Sequence, residues 1–171
     1  MAGTAVHRIL EEFDLAADPR EELARQQRRL PDLVAALVGG GESFAALTRA
    51  EEVLAKLRSG RLLSKLCGLA EHVVSRELPV LLPPAGEGRR AVAFVAGSID
   101  LCYRDPETAE WVVADYKTDR VARDADVAER VALYTDQGRV YQRALREALG
   151  LQSDPRFELW FLDADRVEVV A

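Results

Sequence analysis

Trp111-Val112-Val113-Ala114-Asp115-Tyr116-Lys117-Thr118 is the stretch that most constrains this chain. Aromatic and β-branched residues followed by a polar end predict a strand. Side chains alternate across a strand, so Trp111, Val113, Asp115 and Lys117 share one face. That face ends in a carboxylate and an amine. The carboxylate suits a hard cation. The ammonium suits developing negative charge or a nucleophilic water. An isolated Asp-x-Lys at a strand end is usually a pair of charges entering solvent, so the neighbours decide.

A second strand is expected over residues 90–103. In it Val92, Phe94 and Asp100 share one face, and Val95, Ile99, Leu101 and Tyr103 the other. Gly97 and Ser98 leave room beside Asp100 for a close approach of backbone or ligand. Asp105-Pro106-Glu107-Thr108 turns this strand into the next. Asp100 and Asp115 therefore lie on adjacent antiparallel strands and can reach one cation. Residues 71–84 read as a further strand, with Pro79 marking an edge or a bend. Ala85-Gly86-Glu87-Gly88 follows as a turn. Residues 157–162 and 167–170 predict a closing hairpin around Asp163-Ala164-Asp165.

The first 70 residues read as helices. Thr4 is the expected N-cap of the first, with Val6, Ile9, Leu10 and Phe13 at helical spacing. His7 lies on the shoulder of that stripe. Asp18-Pro19-Arg20-Glu21 starts a second helix with a cap, a proline at the first position and an acid in the first turn. Pro31 is expected to break or restart it, and Gly39-Gly40-Gly41 reads as a flexible connector. A third helix covers residues 43–57, with Phe44, Leu47, Leu54 and Leu57 on its apolar side. Ser59-Gly60 is a turn before a short helix over 61–69. After a polar loop, Asp126 is expected to cap a long helix ending near Gly150. Val127, Val131, Tyr134, Gly138, Tyr141 and Leu145 form its buried stripe. Gln137 and Tyr141 are one turn apart on it. In a plain helix Tyr141 is core and Gln137 rim. Arg139, Arg143 and Arg146 offer phosphate contacts, diluted by Glu129, Asp136 and Glu147.

At 171 residues this is one domain's worth of chain. No apolar run long enough to span a bilayer is present, and the N-terminus lacks a secretory-signal pattern. Two cysteines, Cys67 and Cys102, cannot supply a four-cysteine iron–sulfur cluster. They fit buried free thiols in a reducing cytoplasm. No phosphate-loop or motor motif appears. The formal charge of −6 argues against bulk basic charge as a means of holding nucleic acid. Either the acids are partly metal ligands, or other domains hold the partner.

Four segments follow one another in order: Gly3-Thr4-Ala5-Val6-His7, Gly97-Ser98-Ile99-Asp100, Asp115-Tyr116-Lys117 and Gln137-x-x-x-Tyr141. Together they resemble the RecB-like branch of the PD-(D/E)XK nucleases, above all the nuclease domain at the C-terminal end of AddA and RecB helicase–nucleases. The resemblance covers nearly the whole chain. It implies an α/β fold: a restriction-endonuclease-like core of mixed β-sheet flanked by helices, with an N-terminal helical insertion between residues 16 and 70. It implies one domain over 1–171, with a helical region over 4–70 and the sheet and catalytic core over 71–171.

The same resemblance implies His7, Asp100, Asp115 and the backbone carbonyl of Tyr116 as metal ligands. Lys117 would orient the attacking water and help deprotonate it. Glu77, before an apolar run, resembles the superfamily's first acidic motif; a surface glutamate is the other reading. Gln137, Tyr141, Thr118 and Arg139 would support the site or contact DNA. The implied cofactor is Mg²⁺ or Mn²⁺, with no iron–sulfur cluster. The implied activity is metal-dependent, exonucleolytic hydrolysis of DNA in double-strand-break repair and recombination, in the bacterial cytoplasm. DNA, a helicase domain in the same parent chain or complex, and an AddB-like second subunit are the implied partners, with no membrane. The competing function class is a catalytically silent DNA-docking or scaffolding module on the same fold. The joint presence of His7, Asp100, Asp115 and Lys117 counts against it.

Overall fold

A computed structural model describes residues 1–37, 43–82 and 95–170. The glycines 39–41, the turn at 85–88, and Val92 and Phe94 of the second strand lie outside these residues. Helices α1 (Ala2–Glu11), α2 (Pro19–Leu37), α3 (Ser43–Ser59) and α4 (Arg61–Gly68) come first. Strands β1 (Val73–Leu82), β2 (Val95–Arg104) and β3 (Trp111–Lys117) follow. Helix α5 (Asp124–Leu149) then leads to β4 (Arg156–Phe161) and β5 (Arg166–Val170).

The strands stand in the order β1-β2-β3-β4-β5. Neighbours are antiparallel except β3 and β4, which run parallel because α5 carries the chain back between them. Pro79 accordingly sits on an edge strand, where a missing N–H costs least. β3, central and buried through Val112 to Tyr116, is covered on both faces. Val112, Ala114 and Tyr116 pack with Leu101, Tyr103 and Trp160 against α1–α4. Val113 packs with Cys102, Phe157, Leu159 and Phe161 against Val127, Tyr141 and Leu145 of α5. The alternation expected for β3 holds. Gly138 sets the approach of α5 to the sheet: a Cβ there would stand 2.2 Å from ring carbons of Phe157.

In β2 the alternation fails at one residue. Leu101 and Tyr103 face the helical layer, whereas Ile99 joins Cys102 on the α5 side. Leu101 is the last β2 residue paired with β3. Beyond it the Asp100 carboxylate accepts the Tyr116 N–H at 2.5 Å, in place of a backbone carbonyl. A side chain standing in for a ladder partner frees the strand to change face. Glu77, which lies between the Arg76–Leu101 and Leu78–Ile99 pairs of β1, has φ 46° there. That left-handed backbone is costly for a residue with a side chain.

Several helix ends differ from expectation. The Met1 carbonyl accepts the Ala5 N–H at 3.2 Å, so Thr4 is a first-turn residue and not the cap of α1. Asp18 Oδ1 accepts the N–H groups of Arg20 and Glu21, both at 3.0 Å, as a capping aspartate should. α2 does not stop at Pro31. Its buried ladder of Leu23, Gln26, Leu30 and Val34 continues across the proline, and this burial outweighs one lost backbone bond. Phe44 is 81% exposed, and the buried side of α3 is Ala50, Val53, Leu54 and Leu57. Asp126 caps α5 from its third helical residue, accepting the Arg123 N–H at 3.1 Å. Gly150 ends that helix with φ 64°.

Candidate metal centre and active site

α1 is held by its end. Arg76 of β1 donates Nη1 to the carbonyls of Phe13 (2.5 Å) and Leu10 (3.3 Å), a cation at the carbonyl end of the helix. This sets His7 over the middle of β1 and β2 and the C-terminal end of β3. His7 Nδ1 lies 3.1 Å from Asp100 Oδ1, and Nε2 lies 3.0 Å from the carbonyl of Tyr116. Glu77 Oε1 is 4.0 Å from Nδ1. Ligand atoms of His7, Glu77 and Asp100 all fall within 4.8 Å of one another. Glu77, ambiguous in the sequence, is thus part of the cluster, and its positive φ lies at the point where β1 meets it.

Both neighbours of the His7 ring are oxygen acceptors, and only the doubly protonated imidazolium donates to both. Burial by itself would lower the His7 pKa; the Asp100 hydrogen bond and the charges of Asp100, Asp115 and Glu77 outweigh it and raise the pKa. The proton occupies the role a cation would take. Divalent metal is therefore expected to expel it. Titration of Mn²⁺ near neutral pH should release on the order of one proton per site. The calorimetric heat should then vary with the ionisation enthalpy of the buffer. His7→Ala should weaken Mn²⁺ binding and remove that variation; heats independent of buffer would contradict the His7 assignment.

Asp115 is 3% exposed and lies on the other face of β3 from Tyr116. Its buried Oδ2 is in ion-pair contact with the Lys117 ammonium, its counter-charge. Burial, reinforced by the Asp100 charge and only partly opposed by Lys117, pushes the Asp115 carboxyl up to about 6. Burial likewise raises Glu77, with Asp100 and Glu11 adding to it and Ser98 and His7 opposing.

Lys117 Nζ donates to Gln137 Oε1 at 3.0 Å, and Gln137 Nε2 donates to Tyr141 Oη at 2.8 Å. An ammonium has no acceptor, so this contact fixes which way the Gln137 amide faces. The space expected at Gly97 is filled by Tyr141: a Cβ on Gly97 would stand 3.1 Å from that hydroxyl. Gln137 and Tyr141 thus tie α5 to both β2 and the end of β3.

A cleft of about 920 Å³ opens beside these groups. His7, Glu77, Tyr116, Lys117 and Thr118 line it, with Gly3, Thr4, Arg8 and Glu11 of α1, Leu33, Ala36 and Leu37 of α2, and Asp119 and Tyr134. Thr118 Oγ1 would be 2.9 Å from a Cβ on Gly3, so the first turn of α1 lies against it. Arg139 is elsewhere, exposed on α5 and bonded to Asp136 at 2.9 Å. Tyr134 and Asp119 were not singled out from the sequence. Tyr134 belongs to the same helical stripe as Tyr141 and stands one turn before Gln137. That spacing was the available signal.

Carboxylates, a carbonyl and one imidazole converging beside an ammonium make a site for a divalent cation and for phosphoryl chemistry. The buried Asp115 carboxylate, which has the Lys117 ammonium as its counter-charge, fits the same use. The chain matches the PD-(D/E)XK nuclease superfamily over residues 1–170 and belongs to that family. No curated protein matches the chain. Nucleases of this superfamily use divalent metals, and the five-stranded mixed sheet flanked by helices agrees with their core. Among the described residues no helix is long and apolar enough to cross a membrane.

Proposed function

We propose that this chain is a single nuclease domain of the RecB/AddA type, a Mg²⁺- or Mn²⁺-dependent deoxyribonuclease that works with a helicase in the repair and recombination of broken DNA. The observation that carries the reading is the cluster of His7, Glu77 and Asp100 from α1, β1 and β2, with the Asp115–Lys117 ion pair of β3 near it and a cleft that His7, Glu77 and Lys117 line. The order of these motifs, with Gln137-x-x-x-Tyr141 after them, supports the RecB-like branch. A reducing bacterial cytoplasm is the compartment this reading implies.

Asp100, Asp115, His7 and the Tyr116 carbonyl would hold the cation, with Glu77 at its margin. When bound, the metal supplies charge neutralisation and a more acidic bound water. Lys117 would position the attacking water or donate to a phosphoryl oxygen as negative charge builds. Gln137 keeps the ammonium from rotating away, and Tyr141 keeps Gln137 in place. Thr118 borders the path by which DNA enters. The net charge of −6 fits a domain to which DNA is delivered by another part of a larger assembly.

Linear single- and double-stranded DNA incubated with the protein should be degraded with Mg²⁺ or Mn²⁺ and spared when a chelator is present. Loss of products from internally labelled circles, but not from linear DNA, would support the exonucleolytic form. No hydrolysis of any of these with either metal would favour the silent docking module.

A further inference from the structure

We infer that Tyr134 is a positioning residue for the reaction, holding the ammonium of Lys117 on the face of its ring; the inference rests on the nuclease reading above. Lys117 Nζ lies 3.7 Å from the centroid of the Tyr134 ring, well inside cation–π range. The ring is itself fixed. Tyr134 Oη donates to Asp119 Oδ2 at 3.0 Å, and the other oxygen of Asp119 lies 3.6 Å from Arg130 Nε. Asp119 follows Lys117 by two residues, so α5 and the chain leaving β3 are bound to one another across the ammonium.

The need for such a contact follows from the chemistry of lysine. Its four-carbon stem is flexible, and its charge has no preferred plane. Three groups fix it here: the Asp115 carboxylate, the Gln137 carbonyl oxygen and the Tyr134 ring. Asp115 is the one for which a cation would compete. The amide and the ring face carry no net charge, and a divalent cation does not draw them away. They can hold the ammonium when Asp115 is engaged elsewhere. Tyr134 also lines the cleft, so the ammonium is gripped on the side from which substrate arrives.

Two variants separate the ring from its hydroxyl. Tyr134→Phe keeps the ring, and Tyr134→Leu removes it while keeping an apolar side chain at a half-buried helix position. Both are compared with the full chain in Mn²⁺ for kcat, KM and Mn²⁺ affinity, and by NMR of the Lys117 side chain in the metal-free protein. An aromatic face shifts the ε-methylene protons upfield whether or not the protein cleaves anything. The expected result is an upfield signal in wild type and Tyr134→Phe that Tyr134→Leu loses. In Tyr134→Leu kcat should fall about tenfold or more, with KM and Mn²⁺ affinity within about twofold, and Tyr134→Phe should recover most of the rate. Wild-type kcat in Tyr134→Leu, or a loss confined to KM, would overturn the positioning role while leaving the nuclease reading intact. A wild type that shows the shifted Lys117 signal and hydrolyses no DNA would overturn the nuclease reading, and the catalytic role of Tyr134 with it.

Discussion

Asp115→Asn is expected to end metal-dependent cleavage and to make the metal-free protein more stable above pH 6. The two effects have one cause. Asp115 carries its charge in a nearly closed site, with a second carboxylate, Asp100, close by. Its pKa of about 6 in the folded protein stands above the ordinary value of 3.8. At low pH both folded and unfolded chains hold the proton, and the group contributes nothing. As pH rises through 4 the unfolded chain releases its proton first and gains. Folded stability is therefore lost between about pH 4 and about pH 6 and stays lost above it. Asparagine has the same shape and does not titrate. Wild type and variant should be equally stable near pH 3.5, and a gap of about 3 kcal/mol should open by pH 7. That corresponds to about 9 °C in melting temperature for a chain of this size. Thermal melts in chelator across that pH range measure it, and a variant less stable than wild type at pH 8 would refute the buried-charge account. Saturating Mn²⁺ should reverse the order, because only the wild type keeps the ligand.

Much of this site was legible because it lies where local pattern and tertiary role agree. β3 alternates without interruption, so Asp115 and Lys117 could be placed on one face before any fold was known. The Asp105 turn fixed Asp100 as a neighbour of β3. Asp18 and Gly150 mark helix ends through local backbone chemistry alone. The misread positions depend on contacts between distant segments. Pro31 stays within α2 because residues on both sides of it are buried by other elements. Phe44 looks like a core residue by spacing, yet its side chain points away from the core and stays exposed. Ile99 leaves its expected face because a side chain 17 residues before Lys117, Asp100, supplants a backbone bond. Glu77 and Tyr134 belong to the site only because β1 and α5 deliver them there, and neither has a local signature that separates it from a surface glutamate or a core tyrosine.

Lys117→Ala is expected to separate metal binding from chemistry, the reverse of the Asp115 variant. Lys117 does not belong to the cluster of His7, Glu77 and Asp100, and its contacts are Asp115, Gln137 and Tyr134. Removing it leaves every proposed ligand in place. It also removes the positive charge that competes with a cation for Asp115, so Mn²⁺ affinity should hold or increase. The rate should fall by about a thousandfold, the size expected when a positioned donor or acid–base group is lost. Because Lys117 does more than His7 to hold the Asp115 pKa down, its loss should raise that pKa further. The metal-free variant should then lose more stability than wild type as pH rises through about 6, and regain it with Mn²⁺. Lys117→Arg is not expected to restore the rate. The side chain at this position is only 12% exposed, and a planar guanidinium cannot occupy the point between Asp115, the Gln137 oxygen and the Tyr134 ring that an ammonium fits. Single-turnover cleavage beside Mn²⁺ titration separates the two effects. A Lys117→Ala protein that binds Mn²⁺ as wild type does and cleaves at the wild-type rate would show that water activation lies with the metal alone, and that the ammonium serves only to balance Asp115.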